Sequence, residues 1–366
     1  MTAASRTRPG IDTIGGGRVR TISLLILSLP VAAIGAGGGW LAQPSSRDLV
    51  GSYLVERMGF SPADVRAVES GHPVARTVDG HTAEDIAVVG AVHIRTTPAT
   101  LVARFRDITR FERSDSVLAI GTFGPTPSVG DLAGLTLEPG DLSAVRRCTP
   151  GSCDLQLSTD AMYRFRAEVD WQSPKASDEA NAVMRTLLLE MLSAYRIGGN
   201  DALGQYDDQR PPVRVAEEFR LLGASRDMPV PLAPLAAYLT DYPRVRLRSA
   251  EDFFYWSKVD FGLKPTIRLN HVTIYPVPDR RDGLRYAIVT KQLYASHYFS
   301  TALEMRFLVE DPGRPGQGFV LLLVTKSRVP GLSGLFGGVI RLVVKGRASG
   351  SMERHLDHTR RAAEGK

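Results

Sequence analysis

Cysteine is scarce in this sequence: Cys148 and Cys153 are the two cysteines of 366 residues. A pair with no histidine nearby does not supply the four ligands of a zinc site. Four residues between the cysteines, not two, also argue against a redox pair. Hydrolase, phosphate-loop and nicotinamide signatures are missing as well. There is no Gly-x-Ser-x-Gly: Ser333 has Gly334 on one side and Leu332 on the other. The glycine-rich stretch Gly331–Gly338 lacks the Lys-Ser/Thr ending of a phosphate loop. No metal pattern, internal repeat or low-complexity run is present, and the sequence names no reaction.

A basic excess is also missing where it would matter. The net charge is +6. Residues 1–20 hold four Arg against one Asp, and residues 341–366 hold seven Lys/Arg against three Asp/Glu. The middle of the chain is therefore near −1, which excludes nucleic acid as a partner. The basic C-terminal stretch reads as a solvated helix face. Its sharper reading is attraction to an anionic membrane surface.

What is present begins with a leader. Arg6, Arg8, Arg18 and Arg20 precede an apolar run, Ile22–Leu29, then Pro30 and small residues. This describes a signal peptide over 1–43. The alternative is an N-terminal membrane anchor formed by the uncharged tract 22–42, although Pro30 and several glycines make it a poor spanning helix. Either way the remainder is expected to be exported, to the periplasm, the cell envelope or the medium. In that setting Cys148 and Cys153 read as a structural disulfide across a Pro-Gly turn.

Hydrophobic periodicity divides the remainder. Residues 44–83 form a short helical extension, with Ser45–Met58 helical and Ser61-Pro62-Ala63-Asp64 a helix start. Strands are predicted at Ile86–Arg95 and Ser116–Phe123. Between them, Thr97-Pro98 caps one helix through Phe111. A mostly helical block over about 125–250 includes one turn near Asp141–Arg147 and helices at Asp178–Ile197, Val213–Leu222 and Pro231–Leu239. Strands return at Phe253–Val259, Thr266–Tyr275, Tyr286–Phe299, Ala302–Val309 and Phe319–Ser327. A long amphipathic helix over about 335–363 ends the chain, with Leu335, Val339, Leu342, Val343 and Leu356 on its apolar face. That face is expected to lie on the strands around Leu293–Phe299 and Phe319–Val324. Helices segregated from strands make the fold class α+β.

The opening Ile86-Ala-Val-Val-Gly-Ala-Val-His-Ile-Arg-Thr-Thr-Pro98, the run of strands and the closing helix resemble the START-like, or helix-grip, superfamily of lipid-transfer and polyketide cyclase proteins. The chain is also similar to uncharacterised exported bacterial proteins. The START-like resemblance spans about 84–123 and 250–365. It implies a curved antiparallel sheet gripped by a long C-terminal helix, with 84–365 as one domain and about 125–250 as a helical insertion, a candidate lid. It also implies a sheet–helix cavity for a hydrophobic small molecule or lipid. It implies no cofactor and carries over no catalytic residue.

Several residues are candidates for that cavity. On a strand, alternate residues share a face, so Leu293, Ala295, His297 and Phe299 would share one wall. A polar His297 in such a wall needs a partner. Tyr255 and Trp256 sit in an aromatic cluster suited to an apolar ligand. His271 is placed to pair with His297 across strands. The bland readings are a hydrogen-bonded core histidine and ordinary core aromatics. An exported binder of an apolar ligand is thus the leading expectation. A structural or assembly protein of the cell envelope is the alternative. An enzyme using His297 as acid/base is a third.

Overall fold

The five strands expected late in the chain form, in succession, most of one large sheet. In the computed structural model they are β6 (Glu251–Val259), β7 (Thr266–Pro276), β8 (Leu284–Ala295), β9 (Thr301–Glu310) and β10 (Phe319–Arg328). Before them come β1 (Val74–Val78), β2 (Asp85–Ile94) and β3 (Val117–Thr122), and a two-residue ribbon of β4 (Gln205–Tyr206) with β5 (Val213–Arg214). The main sheet has eight antiparallel strands in the order β1-β2-β10-β9-β8-β7-β6-β3.

The structure describes residues 50–365 except 81, 224–227, 229–231, 279–282, 311–315 and 330–336; for residues 57 and 337–347 it describes the backbone alone. The leader, residues 331–336 of the glycine-rich stretch and the side chains proposed for the last helix from Leu335 to Val343 lie outside the described residues. No helix among the described residues is long and apolar enough to cross a membrane. The described residues belong to one unit, 44–366.

Helices gather in four stretches of the chain. α1 (Pro62–Glu69) starts at a reciprocal cap: Ser61 Oγ accepts from the Asp64 amide, and Asp64 accepts from the Ser61 amide. α2 (Pro98–Phe105) and α3 (Ile108–Phe111) lie between β2 and β3. The single helix expected from Thr97 through Phe111 is two helices, because Asp107 leaves helical geometry and its carboxylate caps a new start at the Arg110 amide. Residues 123–250 carry α4 (Pro139–Val145), α5 (Thr159–Glu168), α6 (Ala176–Gly198), α7 (Val215–Leu222) and α8 (Ala233–Asp241). The helix expected from Val213 loses its first two residues to β5. α9 (Gly337–Glu364) closes the chain.

The sheet has a core on each face. On one face Val88, Val92, Leu321, Leu323 and Val272 pack with Phe105 and Ile108, and with Met352 and Leu356 of α9. On the other, Val89, Leu322, Met305 and Val289 meet the N-terminal Leu54 and Phe60 and the insertion's Phe219 and Leu235. A third cluster inside 123–250 joins Leu155, Phe165, Met184 and Leu192 to Trp256, Leu269 and Leu293. The last helix therefore does not rest on Leu293–Phe299 as expected. It lies along β1 and β2, where Gly90 admits it: a Cβ there would stand 2.6 Å from Leu356 Cδ1 and 3.1 Å from Met352 Cγ.

Candidate functional site

The six ligand candidates read from the sequence do not converge. Tyr255 and Trp256 are neighbours on β6 and so face opposite ways. Tyr255 joins the core beneath α2 and α9, whereas Trp256 points into the insertion and donates to the Asp131 carbonyl at 2.8 Å. Leu269 pairs with Tyr294 but Asn270 with Gln292, so Leu293 is an extra residue in β8. This bulge breaks the alternation that placed Leu293, His297 and Phe299 on one wall. Leu293 turns into the insertion core, and β8 ends at Ala295, before His297. Phe299 meets Phe261 edge-on at 5.4 Å. His271 does not pair with His297 either, because the two lie in separate surroundings.

His271 belongs to a buried relay between sheet and insertion. Its Nδ1 lies 3.0 Å from Tyr195 Oη and its Nε2 2.9 Å from Asp252 Oδ1. Asp252 also accepts from Thr273 at 2.8 Å and from Tyr238 at 2.6 Å. Lys291 Nζ donates to Tyr195 Oη at 3.3 Å and to Asn200 Oδ1, and lies 4.0 Å from the Phe219 ring centroid. Burial pushes Lys291 down to about 7. Burial also lowers His271 against the pull of Asp252. For Asp252 burial acts upward, but His271 and the hydroxyls outweigh it and hold the carboxyl low. One direction of donation satisfies every member: lysine to tyrosine, tyrosine to a neutral imidazole, imidazole to carboxylate. A fully satisfied network is glue, and it fixes the insertion to β6–β8.

His297 lies in a cleft of about 270 Å³ lined by Asp154, Gln156, Asp208, Gln209, Lys264 and Tyr298. Its ring is held between the Asp154 carbonyl (3.0 Å) and Asp141 Oδ1 (3.1 Å). The Cys148–Cys153 disulfide closes the adjoining loop, and the Cys153 amide donates to the Asp208 carbonyl at 3.1 Å. Burial, with Asp207 beside it, raises Asp208 to about 6. Among the described residues no group of three His, Cys, Asp or Glu side chains is placed to hold a metal.

The sheet face beneath α2 and α9 differs from the relay, because its polar groups are not satisfied. Cross-strand register places Tyr255, Asn270 and Gln292 in one row, Val272, Thr290 and Glu304 in the next, then Ile288 and Arg306. Asn270 is fully buried, and Gln292, Thr290 and Arg306 nearly so. Among the described residues, both amide atoms of Asn270, Thr290 Oγ1, Gln292 Nε2 and Arg306 Nε have no partner. Gln292 Oε1 accepts from Arg268 at 3.0 Å. Arg306 pairs with Glu304, donates to Glu112 at 3.2 Å and His355 at 3.1 Å, and stacks 4.8 Å above Phe105. Burial acts to raise Glu304, but Arg306, His355 and Arg268 outweigh it and hold the carboxyl low. Glu304 lies mid-sheet, yet 24% of its side chain is accessible.

Sequence reasoning singled out Tyr255 from this patch and passed over the rest. A signal was present: Arg268 and Asn270, Thr290 and Gln292, Glu304 and Arg306 are polar residues at period two in three consecutive strands. The chain matches no protein-family model and no curated protein.

Proposed function

We propose that this protein is an exported START-like binder of an amphipathic molecule, a lipid or another long apolar compound with one polar end. The ligand lies on the sheet face beneath α2 and α9. Its apolar part meets Val272, Ile288 and Phe105, and its polar end meets Asn270, Thr290 and Gln292. The observation that carries this reading is the set of buried, unpartnered polar groups in adjacent positions on one covered face. Each orphaned group costs roughly 1–3 kcal/mol unless a ligand or water completes it. The helix-grip resemblance is supported by an opening strand followed by Pro98-led helices, an antiparallel sheet and a closing helix against it. The expectation from sequence was an apolar small molecule or a lipid; the polar patch favours a ligand with a hydrogen-bonding end.

The test is native mass spectrometry of the full chain purified from its own envelope. A mass adduct released by organic solvent is expected. The double variant Asn270→Leu, Gln292→Leu should lose it while keeping the wild-type circular dichroism spectrum. An adduct retained by that variant, or none on the wild type even after incubation with phospholipid, sinks the proposal.

A further inference from the structure

The turn between β6 and β7 carries two large apolar side chains in the open. Phe261 is 45% exposed and Leu263 61%. Gly262 between them has φ +80°, a backbone state that suits glycine, and its amide donates to Asp260 Oδ1 at 2.7 Å. The Lys264 amide donates to Tyr298 Oη at 2.9 Å, which ties the turn to the chain beyond β8. The tip is thus held in place, with Leu263 largely exposed and Phe261 half-exposed against Phe299. Leu118 of β3, 49% exposed, adds to the same end, because its neighbour Val117 pairs with Val259 at the end of β6.

We infer that this hairpin tip is the surface by which the protein docks on a lipid bilayer. Two observations select a bilayer as the occupant. The apolar groups stand at the end of a turn, so they protrude, and a bilayer accepts a protrusion whereas a protein partner needs a matching hollow. The tip is also continuous with the proposed ligand site. Arg268 donates to Gln292 in the unpartnered patch, and its guanidinium carbon lies 5.9 Å from the Phe261 ring centroid. A lipid drawn past Phe261 therefore meets Arg268 first. The charges at the tip offset one another: exposed Lys264 pairs with exposed Asp154 at 3.4 Å, and Asp260 adds a carboxylate. Insertion of apolar side chains, not attraction to anionic headgroups, is the binding mode, so phosphatidylcholine suffices. The inference rests on the ligand reading for its purpose, but its test does not.

The test places tryptophan at the tip in the full chain. Phe261→Trp is mixed with phosphatidylcholine vesicles carrying brominated acyl chains, and emission is compared with wild type to remove the three native tryptophans. Ile197→Trp, at an apolar position 83% exposed on the insertion, is the control. Quenching of the added signal at 261 and not at 197 is expected. Leu263→Asp should slow uptake of lipid from vesicles by at least about tenfold, the loss expected for one apolar side chain kept out of the bilayer. It should leave loading from detergent unchanged. Equal quenching at both positions, or none at 261, overturns the inference. So does shielding of the 261 signal from an aqueous quencher by self-association without bromolipid quenching, which assigns the tip to a protein contact. Quenching at 261 with no adduct in mass spectrometry leaves docking standing and removes the ligand; the converse removes docking alone.

Discussion

At the scale of single residues, unmet hydrogen-bonding capacity separates the proposed ligand face from the relay on the other side of the sheet. Asn270→Leu or Thr290→Val, each replacing an orphaned polar side chain with an apolar one of similar size, should stabilise the empty protein by about 1–2 kcal/mol. Thermal unfolding would show this as a rise in Tm accompanied by loss of bound ligand; destabilisation would mean that the patch is structural. Lys291 gives a pH dependence of definite sign. Its ammonium titrates near 7 in the fold and at 10.5 when unburied. The unfolded chain therefore holds more protons between those values, so stability rises with pH across that window. Below about 7 the full penalty is present, on the order of 3–5 kcal/mol. Lys291→Met should flatten the Tm profile between about pH 7 and 10 and raise its acid end. A profile identical to wild type would contradict this. Asp208, raised to about 6, acts oppositely and lower: the folded chain holds more protons between 3.8 and about 6, so stability falls as pH rises across that window. Individual site residues were only partly legible in the sequence. Period-two polar doublets were there to read, but which face lacked partners depends on strands separated by the insertion. The bulge at Leu293 that displaced His297 leaves no local trace.

At the scale of elements, most strands and the long α6 were legible because their periodicity is strong. The capped starts at Ser61-Pro62 and Thr97-Pro98 were equally plain. The break at Asp107 was not, since Ile108 and Phe111 continue the apolar spacing of Leu101 and Phe105 and a capping aspartate alone reverses it. β1 was missed because Val74–Val78 is short and half-exposed, and pairing with β2 rather than its own pattern makes it a strand. α5 escaped because Thr159–Glu168 is polar overall. The packing of α9 invites a direct test. Gly90→Val leaves no room for Leu356, so it should cost about 1–3 kcal/mol and speed amide exchange in α9. Unchanged exchange would show that the helix does not depend on that contact. The disulfide closes a six-residue loop and should contribute about 2 kcal/mol. Cys148→Ser with Cys153→Ser should lower Tm accordingly, and a reductant should then have no further effect on the variant.

At the scale of the whole molecule, one buried arginine holds together parts distant in sequence. Arg328 at the end of β10 reaches Asp85 (2.5 Å) and Glu84 (2.8 Å) beside β2, and Glu218 (2.7 Å) on α7 of the insertion. Arg328→Met strands Asp85, whose side chain is 2% exposed, and should cost about 3–5 kcal/mol in denaturant unfolding. Adding Asp85→Asn should recover much of that. A double variant no better than the single would show that the arginine acts through its other partners. The same pairing has a consequence for the order of assembly. Arg328 and Asp85 lie 243 residues apart in the chain, and β2 has no partner but β1 until β10 arrives. Local contacts within 123–250 can form early, whereas the sheet must wait for nearly the entire chain. A polypeptide that emerges from its N terminus carries an open strand edge for most of its synthesis, and a chain stopped before residue 319 never covers it.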